Sequence, residues 1–184
     1  MPAIPAPRLS DGEIALRPLG PADIPAIVAA CRDPEIPRWT SVPSPYTRED
    51  AERFLAIAAT EAANGEGVAL AVTDRGDRLI GTIGLMEVDR ERGSAEIGYW
   101  TAAAARGRGT ATRAVLLVRD WARRELGLSE LEILPHRDNR PSQLVAERAG
   151  FAATGEIRSV PRMPAGKRDG YKVYVWRAES AGIP

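Results

Sequence analysis

At 184 residues the chain fits one domain, since domains run to roughly 100 to 200 residues, and a core of that size folds without a disulfide or a structural metal. One cysteine and one histidine exclude a disulfide framework and a zinc centre, and no metal site is expected. Lys plus Arg 25 against Asp plus Glu 25 leave a formal net charge of zero, which speaks against a dedicated nucleic-acid binder and makes any anion site local.

No run approaches the length of a membrane span, and the Pro-rich start lacks a cationic region followed by an apolar one. Neither a span nor a signal peptide is expected, and the cytoplasm is the default compartment. A single domain over 1–184 is expected, with flexible ends at 1–9 and 179–184. Residues 13–17 read as a strand, 21–32 as a helix that Pro34 stops, and 37–45 as a loop. Ile24, Ile27, Val28 and Cys31 form that helix's apolar stripe, so Cys31 reads as a buried small hydrophobe. Thr47 with Asp50 resembles a capping box, and Ala51, Phe54, Leu55, Ala58 and Ala62 keep helical spacing up to Asn64-Gly65. Three strand-like runs follow, 67–73, 79–88 and 95–101, with turn-rich breaks that suit an antiparallel meander. Ala111, Ala114, Val115, Val118, Trp121, Ala122 and Leu126 mark one face of a long helix that Gly127 closes, and 131–134 is a short strand. Pro141 opens a last helix capped by Gly150, and strands at 151–159 and 171–177 finish the chain.

The junction Arg106-Gly107-Arg108-Gly109-Thr110-Ala111 lies between a strand and the best-formed helix. Glycines let backbone approach a ligand, the free N–H groups and dipole of a helix start favour an anion, and two arginines add charge at the rim. It is not a Walker A loop, because no Gly-Lys-Ser/Thr follows, and Thr112 stands at the third glycine of a dinucleotide fingerprint. Read alone, the segment is either an anion cradle or a tight turn with solvated arginines.

Four motifs then occur in order: Ala95-Glu96-Ile97-Gly98-Tyr99-Trp100, Arg106-x-x-Gly109-x-Ala111, Asn139-x-x-Ser142 and Ala149-Gly150-Phe151-x-x-x-Gly155. Over 13–176 the chain resembles the GNAT superfamily of acyl-CoA-dependent N-acyltransferases, and within it the bacterial ribosomal-protein N-terminal alanine and serine acetyltransferases. The resemblance implies an α/β (α+β) fold: a mixed, mostly antiparallel twisted sheet of about seven strands with a splayed parallel pair and about four flanking helices. It implies acetyl-CoA as cosubstrate, with the pyrophosphate in the loop formed by Arg106, Gly107, Arg108, Gly109, Thr110 and Ala111. The pantetheine would enter between 95–101 and 131–134, against the backbone of Tyr99, Trp100 and Thr101. Asn139 would stand beside it and Ser142 near the thioester sulfur, with plain helix capping still open for both.

The implied activity is transfer of an acetyl group to a primary amine, foremost a protein or peptide N-terminal α-amine. Small amines, aminoglycosides, a succinyl donor and a non-catalytic CoA-binding module are the alternatives. The expected partner is the amine acceptor, without nucleic acid or membrane, and a homodimer is compatible with the resemblance. A base is needed to make the amine neutral, at roughly 1 kcal/mol for an α-amine and roughly 4.6 for a lysine at pH 7. Glu96 is the first candidate, then Glu132 and His136, each open to a bland reading as a solvated or paired group. Many members carry a tyrosine acid seven residues after the asparagine; here that position is Ala146, which leaves Ser142 as the implied donor. Trp39, Tyr46 and Tyr171 are candidate pocket aromatics or core residues, and the basic segment 158–172 contrasts in sign with the acidic segment 48–66.

Overall fold

The computed structural model describes residues 2–178, so the expected flexible tail, 179–184, lies outside the described residues. The leader is a correction to the sequence expectation, because it is docked. Ile4 is only 1% exposed within the main core, its N–H donates to the Ala62 carbonyl at 2.8 Å, and β1 (Leu9–Ser10) pairs antiparallel with β2 (Ala15–Pro18). Burying one isoleucine is worth about 1.5–3 kcal/mol. The neighbouring prolines restrict the unfolded segment, so less entropy is lost when it docks.

After a single turn at Pro21–Asp23 come α1 (Ile24–Cys31) and α2 (Glu35–Trp39). The second stands where a loop was expected. Pro37 is tolerated because it falls in the first helical turn, where backbone N–H groups have no intrahelical acceptor. α3 (Arg48–Asn64) opens on the expected capping box: Asp50 N–H donates to Thr47 Oγ1 at 3.2 Å and Thr47 N–H donates to Asp50 Oδ2 at 2.9 Å. β3 (Val68–Thr73), β4 (Leu79–Asp89) and β5 (Ser94–Thr101) form the meander, followed by α4 (Thr110–Leu126), β6 (Glu130–Ile133), α5 (Arg140–Arg148), β7 (Ala152–Arg158) and β8 (Tyr171–Arg177).

The strands form one eight-stranded sheet in the order β1-β2-β3-β4-β5-β6-β8-β7, one more than the expected seven because of β1. Among the described residues only β5 and β6 run parallel, and α4 is the crossover that a parallel pair requires. Leu70, Val72, Ile83, Leu85 and Ile97 point to one face of the sheet and bury Val115 and Val118 of α4 and Ala146 of α5. A second cluster holds Ile24, Ile27, Cys31, Ile36, Tyr46 and Ala51, with Trp100 packed against it. Tyr46 is therefore core, and burial pushes the Cys31 thiol up to about 12, which leaves it unreactive at neutral pH.

The topology opens the sheet at one point. Ser94, Ala95 and Glu96 pair with Glu130, Leu131 and Glu132, and there the pairing stops. Beyond it β5 follows β4 as far as Thr101 opposite Gly81. The chain after β6 follows β8 instead: Lys172 N–H donates to the Pro135 carbonyl at 2.9 Å and Arg137 N–H to the Gly170 carbonyl at 2.7 Å. Each strand keeps its antiparallel partner, so the two part and leave backbone of β5 from residue 97 to 101 without a neighbour on the β6 side.

Candidate active site

The cradle sits at the end of β5. Gly107 and Gly109 have φ of +70° and +79°, and a Cβ at either would meet nothing within 4 Å, so the front of the loop is open. Gly109 is the residue that starts α4, and no side chain caps that helix. Among the described residues, no backbone N–H from Gly107 to Thr112 finds an acceptor. Six unpartnered donors at a helix start make a ready anion site. Thr110, buried, anchors the turn by donating its hydroxyl to the Ala105 carbonyl at 3.0 Å. The half-buried Ala111 follows in the first turn.

The two arginines differ. Arg106 lies 2.6 Å from Asp33 Oδ2 and donates through Nε to the Thr101 carbonyl at 3.0 Å, so it fastens the loop to the α1–α2 connection and to the end of β5. Arg108 makes no ion pair among the described residues and lines a groove of about 540 Å³ running along α4 past Thr112 and Leu116.

Glu96 stands at the vertex of the splay, 6% exposed. Burial pushes its carboxyl up to about 7, against the pull of the Arg162 guanidinium that bonds to it. Arg162 also donates to Glu87 at 3.2 Å, which an irregularity in the β4–β5 pairing between Met86 and Asp89 places opposite it. Glu132, the second candidate base, is held by Arg158 at 2.7 and 3.3 Å. Arg158 and Arg162 of the basic segment are thus paired with acids of the sheet, whereas Lys167 and Arg168 bond to backbone carbonyls and Lys172 to the Gln143 amide oxygen. Arg162 was missed as the partner of Glu96; its only sequence signal was membership of that basic run.

Asn139 and Ser142 separate in role. Asn139 caps α5, its Oδ1 accepting Ser142 N–H at 3.2 Å, while the Ser142 hydroxyl is 2.8 Å from the hydroxyl of Tyr99. A side-chain part for Tyr99 was not visible in the sequence. Trp100, its neighbour, faces the opposite side of the sheet and packs on the α1–α3 cluster. His136 lies between Trp39 and Tyr171, with ring centroids 5.7 and 5.5 Å away, and its Nδ1 accepts Asp138 N–H at 3.2 Å. Lys167 Nζ donates to the Pro37 carbonyl at 2.7 Å and the Tyr171 hydroxyl to the Lys167 carbonyl at 2.9 Å. The β7–β8 connection is thereby tied across to α2, and Trp39, His136 and Tyr171 form one aromatic wall.

A family model described as an acetyltransferase (GNAT) domain matches residues 13–152. The protein described as "Uncharacterized N-acetyltransferase p20" of Bacillus licheniformis is 26% identical over 174 residues, 92% of this chain and 96% of that protein. Mycobacterium smegmatis RimJ in complex with CoA-disulfide superposes with a TM-score of 0.83 at 19% identity, covering 97% of this chain and 89% of that one. Ribosomal-protein-S5-alanine acetyltransferase from Vibrio fischeri gives a TM-score of 0.81 at 17% identity, covering 95% and 98%. At these identities the structural likeness establishes the fold.

Proposed function

We propose, on the premise that the chain belongs to the GNAT acetyltransferase family, that it acetylates free α-amines at peptide or protein N-termini. Acetyl-CoA is the cosubstrate; when bound it supplies the acetyl group as a thioester and departs as a thiol. The cradle fits it: six unpartnered N–H groups, open glycines and the unpaired Arg108 match a pyrophosphate in charge and donor count. In this reading Gly107, Arg108, Gly109, Thr110 and Ala111 hold the pyrophosphate, and Arg106 shapes their loop. The open β6-side edge of β5 at Tyr99, Trp100 and Thr101 receives the amide-bearing arm beside Asn139. Ser142 Oγ supplies a proton to the departing sulfur, and Glu96 takes one from the amine.

One observation carries the choice of acceptor, the buried Glu96 carboxyl at about 7. Moving a proton to it from an α-ammonium near 7.8 costs about 1 kcal/mol, and from a lysine near 10.4 about 4.6 kcal/mol. A base of that strength brings an α-amine within about 1 kcal/mol, and the further gap of about 3.5 kcal/mol to lysine is set by the two amines themselves. The likeness to a ribosomal-protein-S5-alanine acetyltransferase supports a protein acceptor.

Free thiol release is the test, with acetyl-CoA and four acceptors: lysine-free peptides with a free N-terminus, Nα-blocked peptides containing lysine, a polyamine and an aminoglycoside. The free N-terminus is expected to lead in kcat/KM by about tenfold or more, about 1.4 kcal/mol of discrimination, with the acetyl group mapped to the α-nitrogen by mass spectrometry. Faster turnover of the blocked lysine peptide or the polyamine would overturn the acceptor assignment. CoA binding without turnover of any amine would make the chain a binding module.

A further inference from the structure

The position seven residues after Asn139 is Ala146, and a phenol stands close to Ser142 from the sheet instead. Ala146 is fully buried in the main core and carries no proton to give. Tyr99 instead projects from β5, its ring packed against the same core and its hydroxyl 2.8 Å from Ser142 Oγ. The Ser142 carbonyl, 3.4 Å from that hydroxyl, is too far for a good O–H···O bond. The Asn139 cap fixes the backbone at Ser142, so both ends of the pair are held.

We infer that Tyr99 is a positioning residue for proton delivery: it donates to Ser142 Oγ, leaves the Ser142 hydrogen free for the departing sulfur, and replaces that hydrogen as it leaves. The inference rests on the proton-donor reading of Ser142. An aliphatic hydroxyl is a much weaker acid than a phenol, so Ser142 gives up its hydrogen only if another arrives on the same oxygen. The balance closes without a further reactant. The sulfur keeps the electron pair of its broken bond to carbon and gains the Ser142 hydrogen. The Tyr99 hydrogen moves to Ser142 Oγ, and the phenolate regains a proton from water after the products leave. Burial pushes the Tyr99 phenol up to about 12, so at neutral pH it enters each cycle protonated and able to donate.

Tyr99→Phe removes one oxygen and keeps the ring. Tyr99→Phe and Ser142→Ala are each expected to lower kcat about 10- to 100-fold, with CoA affinity by calorimetry within about twofold. The double variant should be no slower than the worse single, because the two hydroxyls act as one unit. In the free protein, the Tyr99 hydroxyl proton followed by NMR should exchange faster and move upfield in Ser142→Ala. An unchanged resonance there overturns the pairing. Wild-type kcat in Tyr99→Phe, beside an impaired Ser142→Ala, removes Tyr99 alone, and losses that multiply in the double variant make the two independent. Wild-type kcat in Ser142→Ala instead takes down the Ser142 assignment and this inference with it. Should Tyr99→Phe fold poorly, replacement of Tyr99 by 3-fluorotyrosine keeps the packing and sharpens the acid. Retained kcat supports the relay, and a fall to the level of Ser142→Ala overturns it.

Discussion

Glu96 is held between opposing influences, burial that favours the neutral acid and the Arg162 guanidinium that favours the carboxylate. A base must be ionised to work, so kcat/KM is expected to rise with pH through a midpoint near the Glu96 value of about 7. Removing the cation raises that midpoint in Arg162→Ala, and Glu96→Gln abolishes the limb; a pH–rate profile unchanged in both variants would exclude Glu96 as the base. The same shift acts on folding. The native carboxyl holds its proton more tightly than the reference value of 4.5, so between pH 4.5 and about 7 the native state binds more protons than the unfolded chain. Its contribution to stability is complete below the lower value and is lost as pH rises through the upper one. The melting temperature should therefore fall more steeply from acid to neutral pH in the wild type than in Glu96→Gln. Parallel curves by differential scanning calorimetry would mean that burial does not shift this group.

The N-terminus of α4 is the element on which cosubstrate binding turns, and its two arginines are not equivalent there. Arg106 already faces Asp33 at 2.6 Å, whereas Arg108 has no partner among the described residues, so the salt dependence of CoA affinity should flatten in Arg108→Ala and change less in Arg106→Ala. Calorimetry at several salt concentrations measures both slopes, and a larger change in Arg106→Ala would reverse the assignment. Gly109→Glu forces a side chain into φ +79° and adds a negative charge at the anion site; CoA affinity should fall about tenfold or more, or about 1.4 kcal/mol. Unchanged affinity in the folded variant would remove the cradle. This element was legible in the sequence because its signals are local: two glycines, a strand before and an amphipathic helix after. The α3 capping box was legible for the same reason, since Thr47 and Asp50 are three residues apart. The bond from Tyr99 to Ser142 spans 43 residues and that from Arg162 to Glu96 spans 66; no spacing rule reaches across such intervals. α2 was hidden for a different reason: it is five residues long and Pro37, in its first turn, opened a segment read as a loop.

Across the whole molecule, the β7–β8 connection and the leader tie distant layers together. Lys167 joins the β7–β8 connection to α2 across 130 residues, and the leader joins α3, β2 and α4. Ile4 N–H bonds to the end of α3 and β1 extends the sheet beside β2. In the turn between β1 and β2, Asp11 pairs with Arg113 Nη1 at 2.7 Å, one turn beyond the cradle. If the leader is part of the core, Ile4→Ala leaves a cavity and should cost about 2–4 kcal/mol in urea unfolding, the usual range for a fully buried branched side chain. Arg8→Ala, on an exposed side chain of the same segment, should stay within about 0.5 kcal/mol. CoA affinity below the unfolding transition should be retained in both, because neither residue belongs to the cradle. A leader that merely frayed would give the two variants the same small effect. Equal midpoints for Ile4→Ala and Arg8→Ala would therefore detach the segment from the core, and a lost CoA affinity in folded Ile4→Ala would show instead that its docking sets the position of α4.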